Sequence, residues 1–190
     1  MSKSAAAVKI GPASLYVAAT GTAYPAVTAA PSSDWTDLGY SEEGFVFEIE
    51  NTVEELRVAQ SVDPIDVKVS DRSVRITGEL SQSTLANLNY AIGGAGATAS
   101  ASDVSTYTPT ANNATDHLTK FAILLRANAG SATAASEGKN RDYQVPIAVF
   151  AGAQSISYAK APTKATVMVE LHALVTTDGN TPFTIVDDEL

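Results

Sequence analysis

The sequence predicts one mostly-β domain with a single helix. Three observations carry that prediction. Strand-type alternation with a period of two recurs along the chain, and only one stretch has helical spacing. At 190 residues, the chain has room for one domain with a real core, and two would be cramped. Large core formers are scarce, with one Trp, five Phe and two Met, while Ala, Ser, Thr and Gly dominate whole segments. A modest core with extended arms and loops is expected, in a chain that needs partners to finish burying its surface.

The first element is a short apolar run, Ala13 to Ala18. Trp35 to Tyr40 reads as a strand entering a tight turn at Ser41 to Gly44. Phe45, Phe47 and Ile49 then alternate with Val46, Glu48 and Glu50, which gives a strand with one buried face. The clearest alternation is Ser73 to Leu80, with Val74, Ile76 and Leu80 on one side and Ser73, Arg75, Thr77 and Glu79 on the other. Between these strands, residues 51–72 carry their own alternation at Leu56/Val58 and Ile65/Val67/Val69, with Asp63-Pro64 at the tip. This reads as a long hairpin arm. An isolated two-stranded hairpin is marginal in water, so such an arm is expected to contact another chain.

The helix is expected at about residues 84–92. Leu85, Leu88 and Ile92 fall on one face, with Asn87 and Asn89 off it. Ser81 or Ser83 would cap its start, and Gly93-Gly94 would supply a left-handed stop. Burying the three apolar side chains is worth roughly 1.5–3 kcal/mol each, enough to dock one helix on a sheet. Residues 93–115 and 127–138 are rich in Ala, Gly, Ser and Thr and read as flexible, exposed loops. Strands resume at Lys120 to Arg126, Asp142 to Phe150, Ser155 to Lys160 and Ala165 to Val175. The last places Val167, Val169, Leu171, Ala173 and Val175 on one face. Pro146 lacks a ladder donor, so its strand should be an edge or carry a bulge there. Residues 176–190 read as a tail whose Phe183 and Ile185 suit docking on a neighbouring subunit. No repeat and no linker divides residues 1–190, which read as one domain.

Charge is concentrated in one block. Between Asp34 and Asp66 lie ten carboxylates and one cation, Arg57, a net of −9 that equals the formal charge of the whole chain. The carboxylates interleave with strand-type apolar residues, so the charge belongs to an ordered sheet rather than to an acidic tail. A surface of this sign opposes phosphate binding, which needs clustered Lys and Arg. The absence of cysteine excludes disulfides and thiolate metal sites. The N-terminal stretch lacks an apolar h-region and no run approaches ~18 apolar residues, so a soluble chain made in a cytoplasm and not bound to a membrane is expected. Without a signal peptide, the terminal Asp187 to Leu190 carries no weight as a retrieval tail.

Catalytic constellations are thin. The two histidines are His117 and His172. Glu170 and His172 share the polar face of the Ala165 to Val175 strand, but two ligands are too few for a closed metal site. Asp116-His117 reads as a turn with a solvated imidazole. The Gly93 to Thr98 stretch follows a helix instead of leading into one, and it lacks the Lys-Ser/Thr ending of a phosphate loop. Asp63 and Asp66 do not form a calcium-loop pattern. Asn113 to Thr115 matches a glycosylation sequon that a cytoplasmic chain would not use. No enzyme activity, cofactor or metal is expected.

Read in order, Trp35-Thr-Asp-Leu-Gly-Tyr40, Phe45-Val-Phe-Glu-Ile-Glu50, Ala59-Gln-Ser-Val-Asp-Pro64, the alternating Ser73 to Leu80 strand and Leu80-Ser-Gln-Ser-Thr-Leu-Ala-Asn-Leu88 form an ordered block from Trp35 to Gly94. This block resembles the major tail proteins, or tail tube proteins, of long-tailed non-contractile bacteriophages. The later half fits by length and strand content, chiefly at Tyr143 to Phe150 and Ala165 to Val175. The resemblance implies a β-sandwich or partial barrel with one flanking helix. It also implies a virion protein, assembled in the host cytoplasm into hexameric rings that stack as a tube around a tape-measure protein. Tail terminator and distal tail proteins would be further partners, and DNA would pass through the lumen without specific binding.

On that reading, Glu48 and Glu50 are the first candidates to line the lumen, with Arg75 and Glu79 next. Glu54, Glu55, Arg57, Asp63, Pro64 and Asp66 belong to the arm and would meet the adjacent ring. Three other readings compete. A capsid decoration protein would give isolated trimers or monomers instead of tubes. A carbohydrate- or ligand-binding sandwich normally exposes several aromatics on one face, whereas Trp35 is the sole tryptophan. An enzyme built on Glu170 and His172 would depend on His172, whereas a structural protein would assemble without it.

Overall fold

Period-two patterning organises most of the described residues into antiparallel strands. The structure, a computed structural model, describes residues 13–57, 63–93, 97–101, 104–108, 118–127, 140–151, 155–157, 165–175 and 181–188. The strands are β1 (Ala13–Ala19), β2 (Thr36–Asp37), β3 (Ser41–Leu56), β4 (Asp66–Leu80), β5 (Ala97–Ala101), β6 (Val104–Thr108), β7 (Lys120–Ala127), β8 (Arg141–Phe150), β9 (Ile156–Ser157), β10 (Thr166–Ala173) and β11 (Thr184–Asp187), with one helix, α1 (Leu85–Ala91). Nine strands form one sheet in the order β2-β1-β7-β8-β10-β4-β3, with β11 added to β8 and β9 to β10. β5 and β6 form a separate hairpin.

The expected sandwich or partial barrel takes the form of a single sheet that curves back on itself. Leu15 and Val17 from β1 share one core cluster with Phe45 and Phe47 from β3, although these strands lie near opposite ends of the strand order. Between them lie Ile76 and Leu80, Ile123 and Leu125, Val145 and Phe150, and Val167, Val169 and Leu171. The Leu38 N–H donates to the Leu15 carbonyl at 3.0 Å and extends the β1-β2 pairing. Ala91 and Tyr90 bring α1 against the same core, where the Tyr90, Phe121 and Phe150 rings meet at 5.4–6.0 Å between centroids. Such aromatic contacts add about 0.5–1.5 kcal/mol each beyond the area they bury.

The reverse face of β1 and β7 is covered by the segment that links β1 to β2. Trp35 and Tyr24 stack at 5.1 Å and pack with Ala18, Ala122 and Leu124. The Trp35 Nε1–H donates to the Ala23 carbonyl at 3.1 Å. Burial pushes the Tyr24 phenol well above its ordinary pKa.

Helix α1 differs from its sequence reading in two ways. Thr84, and neither Ser81 nor Ser83, is the N-cap, its Oγ1 accepting the Asn87 N–H at 3.1 Å. The side turned inward carries Asn87 and Ala91, while Ile92 is exposed. Asn87 can be buried because its Nδ2 donates to the carbonyls of Leu38 at 2.9 Å and Gln82 at 2.8 Å. Gly93 does stop the helix in the left-handed region, at φ 101°.

Three further expectations change. From Trp35 to Tyr40 only Thr36 and Asp37 pair, and Ser41 to Gly44 continues into β3 through a register shift instead of forming a separate turn. Gly44 takes φ 92° there, and Gly78, opposite Phe45, leaves room for that ring, whose Cδ1 would lie 2.5 Å from an added Cβ. Residues 97–101 and 104–108, expected within a loop, form the β5-β6 hairpin, since Thr, Val and Tyr favour extended backbone. The region 128–139, most of the other expected loop, lies outside the described residues, as does His117.

The C-terminal tail is the largest correction. Residues 184–187 pair with Arg141 to Gln144 of β8 in the same chain. Phe183 packs edge-on against Phe47 at 5.4 Å, and Arg141 binds Asp187 at 2.5 Å. The physical reason is an edge. β10 pairs with β8 only from Ala148 to Phe150, so the first half of β8 needs another partner. Pro146 falls between these two pairings, opposite a register shift against β7, where a missing N–H costs least.

Candidate functional site

Because side chains alternate across a strand, the residues between the core positions of β3, β4 and β10 share the opposite face. Register sets their neighbours. Glu48 on β3 lies opposite Arg75 on β4, and Arg75 lies opposite His172 on β10. The same row continues through Val149 of β8 to Lys120 of β7. Glu50 pairs with Ser73 and Glu79 with Met168 on this face. All four lumen candidates, Glu48, Glu50, Arg75 and Glu79, therefore lie on one sheet face turned away from the core.

Ion pairs knit the centre of that face. Arg75 Nη2 lies 3.0 Å from Glu48 Oε2, and Nη1 lies 3.5 Å from Glu170 Oε1. His172 Nε2 lies 3.0 Å from that same Glu170 oxygen. The negative charge of Glu48, followed by hydrogen bonds to Glu170 and Glu48, raises the pKa of Arg75 above its ordinary value. The sequence pairs Glu170 only with His172; Arg75 joins them because β4 and β10 are neighbours, a long-range fact without a local signal. The alternation of Arg75 in β4 and Glu170 in β10 shows only that each lies on a polar face. Among the described residues, no group of three or more His, Cys, Asp or Glu side chains is placed to hold a metal ion.

Beyond Ile49 and Val74 the β3-β4 hairpin leaves the core and runs on as an arm. Every described residue from Glu50 to Arg57 and from Asp63 to Ser73 is exposed. A register shift between Thr52 and Val53 marks its base, where the Ser70 hydroxyl donates to the Thr52 carbonyl at 3.2 Å. Val53 faces Val69 and Glu55 faces Val67 on one side; Glu54 faces Lys68 and Leu56 faces Asp66 on the other. The arm thus carries an apolar side in line with the core and a charged side in line with Glu48 and Glu50. Glu55 and Arg57 form an exposed ion pair at 2.5 Å. Asp66 Oδ1 accepts the Val67 N–H at 2.8 Å, and the Ile65 N–H donates to the Leu56 carbonyl at 2.9 Å, near Asp63 and Pro64. The tip itself, residues 58–62, lies outside the described residues.

The sheet also ends in an open edge. β3 is the last strand in the order and runs from Ser41 to Leu56. Its outer row of backbone groups has no strand partner among the described residues.

A family model described as phage tail tube protein matches residues 2–137. Among solved structures, the crystal structure of an Hcp protein aligns at 12% identity with a TM-score of 0.36, over 95% of this chain and all of that one. No curated protein matches.

Proposed function

This chain belongs to the phage tail tube protein family, and we propose that its subunits close into hexameric rings that stack into a DNA-conducting tube. It is a structural virion protein and not an enzyme. The observation that carries the proposal is the shared, outward-turned face bearing Glu48, Glu50, Arg75 and Glu79, with an exposed arm continuing from the same two strands. On this reading the face lines the lumen. Each ring multiplies its carboxylates, and their repulsion reaches about 8 Å at physiological salt, which keeps a duplex away from the wall. A cationic wall would instead gain affinity by counterion release and hold the DNA.

The long open edge of β3 supports ring closure, because a head-to-tail interface that closes removes every free edge at once. The arm residues Glu54, Glu55, Arg57, Asp63, Pro64 and Asp66 meet the next ring. A tape-measure protein occupies the lumen during assembly, with terminator and distal tail proteins at the two ends. Electron microscopy of the concentrated protein tests the assembly: stacked rings are expected, and isolated monomers or trimers would favour a decoration protein. A density map of the tube with Glu48 and Glu50 on the outer wall would sink the lumenal placement.

A further inference from the structure

A wall that must release DNA carries a guanidinium in the middle of its central row. Arg75 and His172 are adjacent on β4 and β10, and Lys120 ends the same row on β7. Arginine is the side chain best suited to grip a phosphate, because its planar fork donates two parallel hydrogen bonds. An unpaired Arg75 repeated around each ring would undo the repulsion of its neighbours. The geometry answers this directly. Glu48 takes one terminal nitrogen of Arg75 at 3.0 Å, and Glu170 approaches the other at 3.5 Å. Glu170 also holds His172 at 3.0 Å. Its side chain is only 17% exposed, against 51% for Glu48, so Glu170 is the fixed member of the cluster and Glu48 the solvated one.

We infer that Glu48 and Glu170 mask Arg75, so that the guanidinium at the centre of this sheet face cannot hold DNA phosphates. This rests on the lumenal reading of the face. Arg75 then serves the fold by tying β3 to β10 across β4, and its charge is cancelled where DNA would meet it. The raised pKa of Arg75 agrees with a guanidinium already engaged by carboxylates.

The test uses full-length protein immobilised on a resin, with duplex DNA applied at low salt and eluted by a salt gradient. Wild-type protein is expected to let the DNA pass. The Glu48→Gln/Glu170→Gln variant is expected to retain it, with log affinity against log salt steeper by about 0.9 for each phosphate that a freed Arg75 neutralises. Adding Arg75→Gln to that variant should abolish retention. If the double variant retains no DNA, or the triple variant retains as much as the double, masking is overturned. Should the double variant not fold, Glu48→Gln alone is expected to give a smaller gain, and no gain overturns the inference equally. The tube map separates the two readings. Retention by the double variant with Glu48 on the outer wall keeps masking and sinks the lumenal placement. A lumenal Glu48 with no retention sinks masking alone.

Discussion

Arg126 engages all three guanidinium nitrogens in a site where its side chain is 5% exposed and that of Asp142 is fully buried. Nε donates to Asp142 Oδ1 at 2.7 Å, Nη2 to Asp142 Oδ2 at 2.6 Å and to the Ala26 carbonyl at 3.2 Å, and Nη1 to the Ala29 carbonyl at 2.5 Å. Asn140 adds a bond from Nδ2 to the Val27 carbonyl at 2.9 Å. These contacts fasten the 20–34 segment to the back of β7 and β8. A buried pair of this kind contributes little net stability over an apolar pair, but losing one member strands a charge in the interior. Arg126→Ala is therefore expected to lower unfolding free energy by about 3–5 kcal/mol, read from urea melts. The Arg126→Met/Asp142→Leu double variant is expected to lose much less than the two single changes summed. If the losses simply add, the two groups are not coupled and the account of the site is wrong.

At the scale of elements, the β3-β4 arm and strand β11 show opposite relations to the core. The arm has its described residues exposed beyond Ile49 and Val74, whereas β11 covers the first half of β8 and brings Phe183 onto Phe47. Deleting residues 53–69 is expected to leave a cooperatively melting domain that no longer stacks, read by calorimetry and electron microscopy. A deletion that loses its cooperative transition would show that the arm is part of the core. In the arm the period-two signal was only partly informative, since Val67 and Val69 share a side with Val53 whereas Leu56 falls on the other side opposite Asp66, and the tip at 58–62 lies outside the described residues. The same signal placed Glu48, Glu50, Arg75 and Glu79 in phase. It could not place β11, because four residues with Ile185 exposed carry no one-sided pattern; what recruits them is the edge left by β10, a property of distant residues. Glu170 escaped its link to Arg75 for the same reason, since strand order is not written in local periodicity. Asn87 reads as exposed from sequence because it is polar, and only the carbonyls of Leu38 and Gln82, brought to it by the fold, allow its burial.

For the whole molecule, the distribution of charge sets conditions on assembly. The chain carries a formal −9, the same as its segment from Asp34 to Asp66, which contains β3 and the first strand of the arm. The elements proposed to approach a second ring are thus the ones with the highest negative density. Their described ion pairs at Glu55–Arg57 and Glu48–Arg75 are partly exposed, and solvent screening leaves such pairs little weight. Attraction between rings must then come from apolar contacts, such as the Val53, Val67 and Val69 side of the arm, acting against a repulsion that salt screens. The Debye length falls from about 30 Å at 0.01 M to about 8 Å at 0.15 M and about 3 Å at 1 M. Stacking should accordingly be weakest at low ionic strength and strengthen as salt rises, with the main gain where the Debye length drops below the spacing of facing carboxylates. Glu54→Gln, which removes one charge beside Lys68 on the polar side of the arm, should shift the onset to lower salt without altering the melting of the domain. Sedimentation of the assembled material across a salt series measures both effects. Tubes that dissociate as salt is added would mean that complementary charges between rings drive the assembly, and the apolar side of the arm would lose its assigned role.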